Sequence, residues 1–264
     1  MATNIDRDDV LVHQAIGEIY ATYGDRVSVE NRHKSERKFG VNAVVGTSAA
    51  TLATLGAGEL HETFVASDLI TAISSSDTGD VMPITITGHT LSGTSFTLVE
   101  QTVTLTAQTK ATLATPLARV QRAYNSGATP LVGAIYIYED MTPTAGVPQT
   151  ATGVHATIRA GRQQTEKAAM TLSSTEYFIM TSFWADALKK TAGFADVQVQ
   201  VRLYGKVFRQ QIAISATTSG RGTHQFMPYL IVPKNADVRL VATADASTTP
   251  VAGGFQGFYA RVIG

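Results

Sequence analysis

Threonine alternates with branched apolar residues in a long segment that carries no positive charge. Residues 39–109 contain neither lysine nor arginine, and residues 84–87 (Ile-Thr-Ile-Thr) and 101–106 (Gln-Thr-Val-Thr-Leu-Thr) show the alternation most clearly. Because successive side chains of a strand point to opposite faces, this pattern predicts strands with an apolar face in a core and a hydroxyl face outside it. A free soluble protein usually has a charged surface. We therefore expect other subunits to cover part of this face.

The charge of the whole chain is low and balanced. Charged residues make up 16% of the chain, against roughly 25% in an average soluble domain, and the formal net charge is zero. Zero net charge favours association and argues against a specific nucleic-acid partner, because binding phosphates requires a basic surface. The absence of cysteine excludes disulfides, thiol catalysis and cysteine-based zinc sites.

Neither a membrane partner nor export is expected. No apolar run approaches the roughly 18 residues that a membrane-spanning helix needs. The acidic start of the chain lacks the basic and apolar regions of a secretory signal. We therefore expect synthesis in the cytoplasm without passage through a membrane.

The first 40 residues are predicted to form a helix followed by a charged docking arm. Apolar residues at helical spacing place the helix at residues 6–23, and Gly24 is its expected stop. Residues 25–38 hold the densest charge in the chain. A solvated loop or strand edge, a docking arm for another subunit, and contact with nucleic acid are the three interpretations of this segment. Its candidate interaction residues are Arg26, Arg32, Lys34, Arg37 and Lys38.

Two β-rich halves are predicted to follow the arm. Residues 41–140 and 154–264 each contain short strands separated by glycine and proline turns, which indicates sandwiches or barrels. Residues 141–153 hold two prolines and two glycines without periodicity and form the predicted linker. The predicted fold is mainly β, with two tandem antiparallel β-sandwich or jelly-roll-like domains and a short N-terminal helix.

The residues that could carry chemistry form no recognisable catalytic or metal motif. None of the six histidines stands at zinc-ligand spacing from another. A phosphate-binding loop needs a strand before its glycines and a helix after them, and the closely spaced glycines of this chain lack that context. The chain also lacks the Gly-x-Ser-x-Gly motif that carries the serine nucleophile of α/β-hydrolases. Spacing alone cannot pair the carboxylates that a glycosidase would need. We therefore expect a protein that is not an enzyme and uses no metal or cofactor.

Three aromatic residues near the C-terminus suggest carbohydrate binding as an alternative function. If Phe255, Phe258 and Tyr259 were exposed on their strand, they could stack on a sugar, as in a carbohydrate-binding module of a host-recognition fibre. Packing in a core or between subunits is the alternative role for these side chains.

Strand and turn motifs are spread over nearly the whole chain. They include 37–42 (RKFGVN), 115–124 (TPLARVQRAY), 158–165 (IRAGRQQT), 176–183 (EYFIMTSF) and 231–240 (IVPKNADVRL). Together they resemble a widespread group of structural proteins of tailed bacteriophages. The resemblance implies a β-rich, non-enzymatic component of the virion. It includes no active site, so no site residue carries over from it.

Within that group, we expect a capsid decoration (cement) protein. We expect it to form a homo-oligomer, namely a trimer, in which residues 1–40 clamp neighbouring subunits of the major capsid protein. The first β domain would lie among these neighbours, and the second would face solvent. A head–tail neck component or a tail or fibre attachment, in contact with portal or tail proteins, is the alternative. Either role places the protein in the virion after synthesis in the bacterial host cytoplasm.

Overall fold

The protein is mainly β with one helix near its start, which confirms the predicted fold class. The computed structural model describes residues 7–29, 36–48, 50–52, 67–188, 194–217, 220–245 and 249–263. Within these ranges, no helix is long and apolar enough to cross a membrane. The elements begin with α1 (Arg7–Tyr23), β1 (Val27–Ser28), β2 (Glu36–Val45), β3 (Ala50–Thr51), β4 (Ile70–Ser75), β5 (Pro83–Ser92), β6 (Ser95–Thr104), β7 (Ala111–Leu117), β8 (Arg119–Asn125) and β9 (Ile135–Glu139). They continue with β10 (Val154–Ile158), β11 (Ala169–Thr171), β12 (Glu176–Ala187), β13 (Phe194–Leu203), β14 (Arg209–Thr217), β15 (Gly222–Val232), β16 (Ala236–Ala244) and β17 (Thr249–Val262).

Strands from both ends of the described chain form one β-sandwich, which we call the terminal sandwich. In its first sheet β12 lies between β15 and β17, and β17 also pairs with β1 and β2. Its second sheet has the order β11-β16-β13-β14, with β3 beside β16. The pairs are antiparallel. Aromatic and aliphatic side chains fill the core between the sheets, among them Phe178, Phe183, Val199, Leu240 and Phe255.

The strands β4 to β10 form a second sandwich, which we call the inserted sandwich. One sheet has the order β10-β9-β4-β7 and the other the order β6-β5-β8. Ile84 and Ile86 of β5 are fully buried in the core, whereas Thr102 and Thr104 of β6 are exposed. The alternation read from the sequence therefore does separate a core face from an outer hydroxyl face. On β5 the outer face is covered, and Thr85 lies 3.0 Å from Thr102 between their hydroxyl oxygens.

The strand pairing divides the chain differently from the predicted boundaries. β2 and β3 precede the inserted sandwich but pair with β17 and β16. β10 follows the predicted linker but pairs with β9. The two sandwiches are therefore nested rather than tandem. Alternation identifies a strand but not its partner, so the sequence pattern could not show this arrangement.

The predicted linker belongs to the inserted sandwich. Thr144 and Val147 form a β-bridge, with reciprocal backbone hydrogen bonds of 3.0 Å. Gly146 has a positive φ of 75° and its Cα lies so close to the backbone of Ser75 that a Cβ would overlap the Ser75 carbonyl oxygen. The segment is thus a tight hairpin held against β4, and its glycine and proline content reflects turn geometry rather than a spacer.

Helix α1 packs on the outer face of the terminal sandwich. Gly24, at φ 72°, ends the helix, and its N–H donates to the carbonyl of Tyr20 at 2.9 Å. β1 then pairs with β17, and β2 enters the same sheet. The described part of residues 1–40 therefore packs on the protein's own body instead of forming a free docking arm. The buried residues at this contact are Val12, Ala15, Ile19, Val27, Tyr177, Ile179, Phe258 and Ala260.

Candidate functional site

A buried ionic network joins the two sandwiches. Asp237 of β16 accepts hydrogen bonds from Arg119 of β8 at 3.3 Å and from Arg202 of β13 at 2.9 Å. The Thr171 hydroxyl donates to the same carboxylate at 2.6 Å. Burial raises the pKa of Asp237, but the two guanidinium groups outweigh it, so the pKa lies below its ordinary value. Because Arg119 belongs to one sandwich and Asp237 to the other, the network holds them in a fixed relation.

Contacts of the β5–β6 turn and of β6 reinforce this junction. The backbone N–H of Phe96 donates to the Asn235 side-chain oxygen at 3.0 Å, and the Phe96 carbonyl accepts from Ser174 N–H at 2.9 Å. The Tyr204 hydroxyl donates to the Gly93 carbonyl at 2.9 Å. Neutral backbone and side-chain hydrogen bonds thus surround the ionic network.

Lys38 of β2 lies in a cleft between the sandwiches. Its ammonium donates to the backbone carbonyl oxygen of Gln121 at 3.2 Å and lies 3.6 Å from a Glu36 carboxylate oxygen. The side chain is only 6% exposed, and burial lowers its pKa to about 8, with the nearby Arg122 acting in the same direction against Glu36. Lys38 was expected on an exposed docking arm. It is buried because β2 is an integral strand of the terminal sandwich.

The cleft consists of two adjoining hollows of about 210 and 230 Å³, both lined by Lys38, Gln121 and Arg122. Gln121 is 8% exposed, and its side-chain nitrogen donates to the Tyr259 hydroxyl at 3.2 Å. Its side-chain oxygen, Oε1, has no hydrogen-bond partner. Burial, followed by the charges of Glu36 and Glu176, raises the pKa of Tyr259. The larger hollow also includes Arg37 and Lys167. These polar groups converge although their sequence positions are far apart.

The other charged candidates are dispersed. Arg26 is exposed, and its backbone carbonyl accepts from Ile263 N–H at 2.9 Å, next to the β1–β17 pairing. Arg37 is exposed at the rim of the cleft. Arg32 and Lys34 lie outside the described residues. Of the three basic candidates that the structure describes, Arg37 and Lys38 line the cleft, whereas Arg26 lies by the β1–β17 pairing.

The aromatic candidates of β17 do not form an exposed platform. Phe255 lies in the core with its ring edge-on to Phe178, and Phe258 is buried beneath α1 beside Tyr229. Tyr259 is half-buried and also contacts Phe178. The strand directs Phe255 and Tyr259 to one face and Phe258 to the other. Of the two roles weighed for these side chains, their burial agrees with packing within the protein rather than with a sugar-stacking surface.

Three of the described histidines, His89, His155 and His224, pack against other side chains of the protein. His89 and His155 are each 1% exposed, and burial lowers the pKa of each to about 4. His155 forms a hydrogen bond of 3.0 Å with Glu139, whereas Nδ1 of His89 has no partner. His224 contacts the rings of Phe183 and Phe226. Across the part of the chain that the structure describes, no group of three or more acidic or histidine side chains could hold a metal.

Exposed threonines follow the edge of the inserted sandwich where β6, the turn 105–110 and β7 meet, and we call this surface the threonine edge. The Gln101 amide bridges the two strands, donating to the Thr115 carbonyl at 2.8 Å and accepting from its N–H at 3.0 Å. Charge is sparse: Glu100 is exposed, and Lys110 is paired with Asp140 at 2.6 Å. The exposed threonines are Thr102, Thr104, Thr106, Thr109 and Thr112.

Comparisons with known proteins add little to this geometry. No protein-family model and no curated protein matches the chain. Among solved structures, the chain is similar to infectious bursal disease virus of the Gt strain, at 9% identity and a TM-score of 0.20 over 91% of this chain and 78% of that chain. It is also similar to the Gx strain structure, at 9% identity and a TM-score of 0.22 over 91% and 72% of the two chains. The VP2 subviral particle of the same virus gives 10% identity and a TM-score of 0.21 over 89% and 73%. TM-scores this low establish no common fold.

Proposed function

We propose that this protein is a non-enzymatic structural component of a virion that decorates a phage capsid as a homo-oligomer. The observation that carries this proposal is the threonine edge, an exposed and almost uncharged surface on the inserted sandwich. Threonine methyl groups can be buried between subunits, and the hydroxyls can hydrogen-bond there, without leaving an unpaired charge in the interface. Such a surface is better suited to burial in a permanent subunit interface than to exposure to solvent.

The nested architecture supports a mechanical role in the particle. The chain leaves the terminal sandwich, builds the inserted sandwich and returns, so two chain crossings connect the bodies. The Asp237 network adds buried ionic contacts at the same junction. A rigid two-part body can transmit force between the neighbours that it contacts, as a cement protein must.

The resemblance to structural proteins of tailed phages supplies the biological context of the proposal. Under it, the inserted sandwich contacts the major capsid protein or other copies of this chain, and the terminal sandwich faces solvent. The described part of residues 1–40 is already packed on the body, so we assign the principal contact to the threonine edge rather than to an N-terminal clamp. We keep a trimer, a closed cyclic assembly, as the proposed oligomer.

Lysines introduced at the threonine edge test the proposal. The double variant Thr102→Lys/Thr104→Lys should fold, because both positions are exposed, but should be monomeric by light scattering and absent from particles. The physical reason is that assembly would bury two unpaired ammonium groups. Gln210→Lys is the matched control, since Gln210 is an exposed strand residue of the terminal sandwich. Unchanged oligomer mass and particle incorporation in the double variant would overturn the proposal.

Copy number separates decoration from a neck or tail position. A decoration protein should be present in a fixed ratio to the major capsid protein over the whole shell, which densitometry of purified particles measures. A single ring of copies per particle would instead assign the protein to the neck or tail.

A further inference from the structure

We propose that the cleft between the two sandwiches binds an oxyanion that retains a proton at neutral pH, of which hydrogen phosphate is the simplest example. This inference goes beyond assembly, because it assigns a small-ligand site to the junction. It rests on a convergence of cations and on one buried acceptor that lacks a donor.

The cations converge on the larger hollow of the cleft. Its described lining contains Arg37, Lys38, Arg122 and Lys167 and no carboxylate. Lys167 is buried and donates to the His155 carbonyl at 2.6 Å, so it supplies positive charge from a fixed position. Arg122 is exposed and is held by the Gln164 side-chain oxygen at 2.7 Å.

The ammonium of Lys38 is incompletely compensated at this position. Its nearest carboxylate, on Glu36, is 3.6 Å away and lines the adjoining hollow. Burial lowers the pKa of Lys38 most, the charge of Glu36 opposes this, and the charge of Arg122 adds to it, so the pKa falls to about 8. An anion between Lys38 and Arg122 would favour the protonated form and offset their mutual repulsion.

Gln121 indicates which anion fits. The residue is more than nine-tenths buried and lines both hollows, and its side-chain oxygen Oε1 has no hydrogen-bond partner. A buried acceptor without a donor is unfavourable, and a ligand O–H would satisfy it. Hydrogen phosphate combines negative charge with an O–H group. Sulfate has the same shape and charge but no proton at neutral pH, so it would leave Gln121 unsatisfied.

Calorimetric titration of the full chain at pH 7 with inorganic phosphate and with sulfate, at equal ionic strength, tests the assignment. Phosphate should bind about tenfold more tightly than sulfate, which corresponds to one hydrogen bond. Lys38→Met should weaken phosphate binding by about tenfold or more, and Gln121→Met should remove the preference over sulfate. Lys206→Met is the control, since Lys206 is exposed and lies outside the cleft lining, and it should bind like the parent protein.

A second variant and a second probe make the result decisive. Arg122→Gln alters an exposed side chain, so it should fold even if Lys38→Met does not, and it should weaken phosphate several-fold. Glycerol phosphate is the second probe: a phosphate monoester has lost most of its last ionisable P–O–H proton at pH 7, so it should bind more weakly than inorganic phosphate. No saturable phosphate binding, equal binding of sulfate, or full phosphate affinity in both Arg122→Gln and Lys38→Met would overturn the proposal.

Discussion

At the scale of residues, buried charges at the junction are what sequence patterns could not foresee. Lys38 and Arg119 carry long cationic side chains, which are usually exposed, yet both are almost fully buried. The partner of Arg119 is Asp237, 118 positions away. Local spacing contains no information about such a pair, whereas the burial of Ile84 and Ile86 follows directly from alternation.

Removing the shared carboxylate should weaken the whole protein. Asp237→Asn would leave the guanidinium groups of Arg119 and Arg202 buried without a counter-charge. We expect a loss of about 3–5 kcal/mol in the free energy of unfolding, measured by urea titration. Asp140→Asn is the matched control, because Asp140 is 78% exposed in its pair with Lys110, and it should cost less than about 1 kcal/mol. Equal losses in the two variants would contradict a buried network.

The buried histidines predict acid sensitivity. In the folded protein the pKa values of His89 and His155 are lowered to about 4, whereas the unfolded chain titrates near pH 6.5. As pH falls from about 6.5 to about 4, the unfolded state therefore takes up protons that the folded state does not. The free energy of unfolding should therefore be highest above this window. Within it, the free energy should fall by up to about 1.4 kcal/mol per pH unit for each histidine.

Urea titrations across that window check the origin of the effect. Asp237, Lys38 and Arg119 face His89, and Phe96 lies edge-on to its ring at 6.2 Å. His89→Leu should give a shallower pH dependence than the parent protein. His13→Leu alters an exposed histidine of α1 and should leave the slope unchanged. A parental slope in His89→Leu would show that another group controls acid stability.

At the scale of elements, alternation predicts strands at residues 84–87 and 101–106, and apolar spacing with a glycine stop predicts the helix, but neither signal identifies a strand's partners. Glycine at residue 24 ends α1 at the expected position. The charged residues 36–38, in contrast, fall in the predicted arm but form the start of β2. The reason is physical: an edge strand tolerates charged side chains on its open side, so charge density alone cannot distinguish it from a solvated loop.

Gly40 tests whether β2 is structural. A Cβ at Gly40 would overlap the Leu52 carbonyl and lie 2.5 Å from the Ala168 backbone nitrogen, so Gly40→Ala must displace backbone. We expect it to lower the free energy of unfolding by about 1–3 kcal/mol. A Cβ at Gly46, at the end of the same segment, would meet nothing within 4 Å. Gly46→Ala should therefore change the free energy of unfolding by less than about 0.5 kcal/mol. If thermal unfolding showed an equally small effect for Gly40→Ala, β2 would be a loose arm and not a structural strand.

At the scale of the whole molecule, the sequence indicated two β bodies but placed them in tandem. The nested order arises because β2 and β3 precede the inserted sandwich yet pair with the last two strands. The same long-range pairing creates the cleft, since it brings Lys38 against Gln121, 83 positions away. The threonine edge could be predicted because its residues are close in sequence, and the cleft could not because its residues are not.

The central claim is that the threonine edge of the inserted sandwich is the surface used in assembly. Hydrogen–deuterium exchange tests it most directly, by comparing the assembled protein with the Thr102→Lys/Thr104→Lys variant. The proposal predicts that amides of β6, β7 and the turn 105–110 exchange more slowly in the assembly, while those of α1 exchange equally in both. Protection confined to the terminal sandwich, with β6 and β7 exchanging at equal rates in both samples, would contradict it.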